Sequence, residues 1–334
     1  MSEDFSTILQ AQLARALGDA TDAATLRLLE SGTFPQAAWD ALAPLGLQLA
    51  LVPEDAGGAG MALEDAAALF QLLGQHGAPL PLAEGMTAAL LLAAAGIAVP
   101  DGVLSFAAEG AALPWGRHAA HAVLVTGTQV TLRQASVMTT GANIAREPRD
   151  VIAPGPAIAT GMLPARFGTE AARMLTALIR SAQMAGALQA ALTLAVDHAN
   201  TRVQFGRPIG RFQAVQQQLA LFAAEAAAAS VAARSAARAA DRRGLADAGF
   251  EIGCAKIVAG EAAGTCAAIA HQVFAAIGIT EEHPLHHFTR RLWSWREEGG
   301  TERFWARRIG AAAQARGGAA LWPDITARDE EFCA

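Results

Sequence analysis

Apolar residues recur every three or four positions over most of this chain, the spacing that gathers them on one face of a helix. Leu63, Ala67, Phe70 and Leu73 predict a helix from about Leu63 to Gly74, following the turn Val52-Pro53-Glu54-Asp55-Ala56-Gly57-Gly58-Ala59-Gly60. Beyond Gly168 the pattern strengthens. A long helix is expected from about Glu170 to Asn200, with Leu188, Leu192, Ala195 and Ala199 on its buried stripe. A second should cover Phe212 to Arg242, marked by Phe212, Val215, Leu219, Phe222 and Ala226, and a third Asp247 to Ile277, stopped by Gly278. Leu285, Phe288, Leu292 and Trp295 predict a shorter amphipathic helix after Pro284, and a last helix starts at Thr301. Between about Val103 and Arg166 the period changes: Val123-Leu124-Val125 and Val130-Thr131-Leu132 flank Gly127 and read as short strands. Three units follow: 1–102 helical, 103–166 a small β domain, 167–334 an antiparallel helical bundle.

Composition agrees with a mostly α fold. Of 334 residues 53% are apolar, tyrosine is absent, and alanine, which loses no side-chain entropy in a helix, dominates. Charged residues are 17% with a formal net charge of −6, which argues against a nucleic-acid partner. Lys256 is the sole lysine, so nearly all positive charge is arginine, suited to fixed contacts with phosphate and carboxylate. Cys254, Cys266 and Cys333 form no CxxC pair and no metal spacing, as in a reducing compartment. The start, Met1-Ser2-Glu3-Asp4, is acidic, unlike a signal peptide. The longest apolar run, Ala88 to Val99, is too short to span a bilayer. The expectation is a cytoplasmic protein with no membrane partner.

One segment is more specific. Thr201-Arg202-Val203-Gln204-Phe205-Gly206-Arg207-Pro208-Ile209-Gly210-Arg211-Phe212-Gln213 joins the first two long bundle helices and resembles the signature of the acyl-CoA dehydrogenase family. The resemblance extends to Val52–Gly60, and from Gln272-Val273-Phe274-Ala275-Ala276-Ile277-Gly278 through Pro284 and Arg290 to Gly300-Thr301. It implies an N-terminal helical domain, a middle β domain, here reduced, and a C-terminal four-helix bundle. It also implies FAD as cofactor, an acyl-CoA substrate and an electron-transferring-flavoprotein type of acceptor. In that chemistry a carboxylate takes the α-proton of the thioester while the β-hydrogen leaves as hydride to the flavin.

By the same resemblance Arg202 reaches the cofactor's diphosphate, Phe205 packs beside it, Gln213 lies near its adenine end, and Gln272 and Thr301 make further contacts, several of them to a neighbouring subunit's flavin. Residue chemistry alone offers plainer roles: Arg202 as a helix C-terminal arginine, Phe205 as a core aromatic, Gln213 and Gln272 as solvated positions, Thr301 as an N-cap. The pattern fails at the base. The family's Glu-Gly-Thr is here Glu297-Glu298-Gly299-Gly300-Thr301, which puts Gly299 at the base position. The alternative base position, on the first bundle helix, falls on Thr176, followed by Ala177. Glu298, one residue away, is the nearest carboxylate candidate for catalysis, with Glu297 beside it; their plain role is a solvated acidic pair ahead of a helix. Where the family has paired glycines stand Ala275 and Ala276. Short chains of this kind resemble the non-catalytic subunit of heteromeric acyl-CoA dehydrogenases, often acting on bulky steroid-like acyl groups. The expected state is therefore a homo-oligomer, or a heteromer with a second acyl-CoA dehydrogenase-like subunit.

Overall fold

A computed structural model describes residues 3–30 and 32–326; Cys333 and the first two residues lie outside that range. The N-terminal helices are α1 (Glu3–Ala20), α2 (Ala23–Glu30), α3 (Gln36–Leu42), α4 (Leu63–Gln75) and α5 (Leu82–Ala94). The predicted stripe of α4 is buried as expected. Its N-terminus has no cap of its own at Ala62. Asp241 supplies one from the bundle, accepting the N–H groups of Leu63 and Glu64 at 2.8 Å each.

The strands fall between residues 104 and 162: β1 (Leu104–Ala108), β2 (Leu113–Pro114), β3 (His121–Thr126), β4 (Gln129–Gln134), β5 (Val137–Thr139), β6 (Arg149–Ile152) and β7 (Ala159–Met162). One sheet runs β1-β3-β4-β7, with β1 and β3 parallel; a smaller one runs β2-β6-β5. The two runs read from the sequence pair antiparallel, Val125 opposite Val130, around the turn containing Gly127.

The bundle comprises α6 (Ala171–Thr201), α7 (Gln213–Arg243), α8 (Gly249–Phe274) and α9 (Leu285–Glu297), followed by α10 (Glu302–Arg316) and α11 (Gly318–Thr326). A two-stranded hairpin, β8 (Val203–Gln204) and β9 (Arg207–Pro208), links α6 to α7. α6 carries the architecture, packing on α4 from the N-terminal domain and on α7, α8 and α9. It reaches α4 backbone to backbone because Gly74 and Gly186 lack side chains. A Cβ on either would lie 1.9 Å from a carbonyl oxygen of the other helix, Gln183 or Gln71.

Two expectations need correcting. α8 ends at Phe274 rather than Ile277, because Ala275 turns to φ 53° and ψ −137° and the chain continues as a 3-10 turn to Ile279. The apolar-run criterion also passed over α7 and the stretch Gly249–Ile279, both long and apolar enough to cross a bilayer by length and composition. In this fold they pack on each other and on α6, and alanine explains their apolar character.

Lys256, fully buried in α8, donates to the Arg296 carbonyl at 2.6 Å, near the C-terminal end of α9. Burial pushes its ammonium down to about 8 from the usual 10.5. Between those values the unfolded chain binds a proton that the folded one does not, so stability should rise with pH across the window. With no tyrosine and no second lysine, little else titrates there besides cysteine. Urea unfolding at pH 8 to 10.5 should show the rise in the wild type and its loss in Lys256→Met.

Candidate active-site cavity and cofactor end

The candidate residues divide between the two ends of α6. At its N-terminal end, a cavity of about 610 Å³ opens between the β domain, α6 and the turn from α9 to α10. Its wall includes Thr176, Asn143, Arg149, Ser294, Glu298, Gly299 and Gly300, with Glu297 and Arg173 exposed on it. The two positions that the resemblance assigns to a base, remote in sequence, touch one another here. Gly299, at φ 71°, packs so closely on α6 that a Cβ would lie 2.6 Å from the Ala177 nitrogen and 2.8 Å from its Cα. Any side chain at 299 would meet the backbone of the helix that carries Thr176. The Thr176 hydroxyl donates within its own helix, to the Ala172 carbonyl at 2.8 Å. Neither position presents a proton acceptor of useful basicity.

Glu298 is engaged elsewhere. Its Oε2 accepts from Arg180 Nε at 2.7 Å, and its Oε1 from Arg149 Nε at 2.8 Å and Asn143 Nδ2 at 3.2 Å. Arg180, only 3% exposed, also holds Glu84 of α5 at 2.6 Å. Arg149 continues to Glu147 at 3.0 Å, and Glu147 to Arg291 of α9 at 3.3 Å, while Trp295 Nε1 donates to Glu147 at 3.0 Å. Glu84, Arg180, Glu298, Arg149, Glu147 and Arg291 thus alternate in sign along one chain of ion pairs joining α5, β6, α6 and α9. Burial alone would raise the Glu298 carboxyl, but Arg149 and Arg180 outweigh it and hold the group down to about 2. Glu147 is lowered too, its burial outweighed by Arg149 and Arg291. A carboxylate so held is a weak proton acceptor near neutral pH.

The turn after Glu298 is fixed from α10. Thr301 is the N-cap of that helix, accepting from the Phe304 N–H at 3.2 Å, and Trp305 Nε1 donates to the Gly299 carbonyl at 3.1 Å. Thr301 therefore belongs to the cavity end.

Arg202, Phe205, Gln213 and Gln272 lie at the other end of the bundle. At ~1.5 Å per residue, α6 separates Thr176 from Arg202 by about 39 Å. The His198 ring stacks on Phe274 at 4.4 Å, bringing the end of α6 beside the end of α8, so the Arg202 hairpin and Gln272 share this end. Arg202, Gln213 and Gln272 are exposed, and their side chains make no hydrogen bond among the described residues. Phe205 is 90% exposed on a left-handed backbone (φ 50°), with Phe212 edge-on at 6.1 Å; it is no core aromatic within this chain. Free donors beside an exposed aromatic fit an anionic dinucleotide held between chains. Such a molecule could not also reach this chain's own cavity, given the length of α6.

Ala275 occupies a backbone conformation dominated by glycine, that of the first central residue of a type II′ turn. Replacing it with glycine relieves the strain: Ala275→Gly should stabilise the chain by about 1 kcal/mol in urea unfolding, and it removes a methyl from the same end as Gln272.

Sequence reasoning missed the ion chain. Arg180, Arg149, Glu84, Glu147, Arg291 and Asn143 gave no signal, because each pairs with residues distant in sequence, as Arg180 does with Glu84. The one available hint was an arginine inside the buried stripe of a helix.

Comparison with known proteins identifies the family. Residues 8–98 match the model of the acyl-CoA dehydrogenase N-terminal domain, and residues 169–314 that of the C-terminal domain. The acyl-CoA dehydrogenase IpdE2 of Mycobacterium tuberculosis is 32% identical over 267 residues, covering 74% of this chain and 77% of that protein. With both terminal units matched and a relative of this similarity, the chain belongs to the acyl-CoA dehydrogenase family. Two solved structures share its fold at lower identity. A variant of the Tcur3481-Tcur3483 steroid ACAD superposes with a TM-score of 0.82 at 24% identity, covering 95% of this chain and 99% of that one. The ChsE4-ChsE5 complex from Mycobacterium tuberculosis gives 0.80 at 22%, covering 93% and 97%.

Proposed function

We propose that this chain is a cofactor-completing, non-catalytic subunit of a heteromeric FAD-dependent acyl-CoA dehydrogenase that takes a bulky acyl-CoA. The observation that carries the reading is the division along α6: available cofactor contacts at one end, and at the other a cavity whose two base positions are Gly299 and Thr176. That two neighbours of the same fold are a two-component complex and a steroid ACAD supports both the assembly and the substrate class.

When bound, FAD accepts the hydride from the acyl β-carbon. This chain's part is to hold the dinucleotide: Arg202 against the diphosphate, Phe205 packed beside it, and the Gln213 and Gln272 amides on its polar edges. The proton is then taken by a carboxylate of the partner subunit, since Glu298 is bound to two arginines. Exposed Leu221 and Val231 on α7, and Val203, Ile277 and Ile279 near the Arg202 hairpin, offer apolar area for that partner.

The test is reconstitution. The chain purified alone should be colourless and reduce no dye with acyl-CoA. Mixed with a homologous chain carrying an intact Glu-Gly-Thr, it should gain flavin absorbance and turnover. Arg202→Ala in this chain should weaken flavin retention by the mixture about 10- to 100-fold, the value of a charge-assisted contact. Yellow protein that turns over by itself, with activity lost in Glu298→Gln, would instead establish a self-sufficient dehydrogenase.

A further inference from the structure

We propose that a second cavity, beside the turn that precedes α4, binds a medium-chain aliphatic monocarboxylate, with Arg166 holding the carboxylate and the hydrocarbon enclosed behind it. The site is remote from the flavin end: Asp241, on its wall, lies about 42 Å along α7 from Gln213 at ~1.5 Å per residue.

This cavity, of about 290 Å³, lies where the Val52–Gly60 turn, α5, the joint between β7 and α6, and the end of α7 meet. It shares no wall residue with the larger cavity. Leu51, Met61, Leu90, Phe167 and Leu245 make the wall apolar. Pro53 and Pro164 add to it without offering an N–H to water. Two polar side chains complete the wall, and they are unequally free. Asp241 gives one oxygen to the Leu63 N–H and the other to the Glu64 N–H, so its acceptors are engaged in capping α4. The Arg166 guanidinium is exposed and makes no hydrogen bond or ion pair among the described residues. Its backbone is nevertheless fixed, the Arg166 carbonyl accepting from the Ala246 N–H at 3.0 Å.

An apolar body with one anionic end matches that inventory. A planar carboxylate can take two parallel N–H bonds from one guanidinium. One arginine balances one negative charge, and Asp241, whose carboxyl feels the charge of Arg166, makes a dianionic head unfavourable. A cationic head would be repelled by Arg166 and would find the Asp241 oxygens already engaged. The volume sets the length of the tail. At ~30 Å³ per water-sized group it holds about ten non-hydrogen atoms, as many as octanoate has. Enclosing the tail removes its CH₂ groups from water, and each should tighten binding about fourfold.

The experiment is calorimetry on the whole purified chain with butanoate, hexanoate, octanoate and octanol. Octanoate should bind saturably, one to one, and affinity should climb about fourfold per CH₂ from butanoate to octanoate. Octanol has the same tail without the charge and should bind about tenfold more weakly than octanoate. Arg166→Gln, at an exposed side chain, should reduce octanoate to the level of octanol with unchanged melting temperature. Ala94→Leu, at the end of α5, places extra atoms in the cavity and should weaken octanoate about tenfold. Ala112→Trp, in the wall of the larger cavity, should leave octanoate binding unchanged. Absence of saturable binding, affinity indifferent to tail length, octanol as tight as octanoate, or wild-type affinity in Arg166→Gln would each overturn the proposal. So would weakening by Ala112→Trp without weakening by Ala94→Leu, which would move the ligand to the larger cavity. If Ala94→Leu fails to fold, Arg166→Gln and the octanol comparison decide. Arg202→Ala should lose flavin in the reconstituted complex and keep octanoate binding, so this site and the cofactor reading stand or fall separately.

Discussion

Glu298→Ala should cost about 3 to 5 kcal/mol of stability, the loss expected when one partner of a buried ion pair is removed and the others remain. Arg180 would keep Glu84 but lose its second carboxylate, and Arg149 would keep only Glu147. The damage should concentrate where the ion chain crosses from the bundle to the β domain, with proteolysis first near residues 137–152. Glu298→Gln separates charge from packing. The Glu298 carboxyl is near 2 in the folded chain against the usual 4.5, so its contribution is complete above pH 4.5 and disappears as pH falls from 4.5 towards 2. The linkage is worth about 3 kcal/mol. Urea unfolding of the wild type should therefore weaken steeply through that acid window. In Glu298→Gln the corresponding step should be missing and the neutral-pH stability already reduced. A variant as stable as wild type at pH 7 would mean that Glu298 is not tied into the chain of ion pairs, and would return it to candidacy as a base.

Restoring a base should succeed at one of the two family positions and fail at the other. Gly299→Glu places a Cβ 2.6 Å from the Ala177 nitrogen on a backbone at φ 71°, two penalties that together should exceed about 4 kcal/mol and prevent normal folding. Thr176→Glu points into open cavity, gives up only a hydroxyl bond internal to its own helix, and should fold with stability within about 1 kcal/mol of wild type, since glutamate is the better helix former. Neither substitution should give the isolated chain turnover, because the cofactor contacts lie at the far end of α6. Circular dichroism and dye reduction on the two variants check both statements. Activity in isolated Thr176→Glu would show that the missing base was the chain's only deficiency.

Much of this was legible before folding because it is local. A helical stripe such as Leu63, Ala67, Phe70 and Leu73 is fixed by a periodicity that neighbouring residues impose on each other, and so is the hairpin around Gly127. The Arg202–Gln213 link could be read for the same reason: it is one continuous segment, and its family resemblance needs no long-range contact. The helix end at Ala275 could not be read, since alanine in a glycine conformation contradicts local preference and persists only because the surrounding structure holds it.

What the sequence determined by itself is the mostly helical architecture, the family, and the absence of a carboxylate at Gly299 and Thr176, all properties of order along the chain. What only the tertiary structure decided is which of these residues meet. Folding brought Gly299 onto Thr176, turned Glu298 towards arginines from two other parts of the chain, and set Arg202 and Thr301 at opposite ends of α6. Those outcomes depend on distances between residues far apart in sequence, and a side chain's charge partner is chosen by packing, which no local pattern encodes.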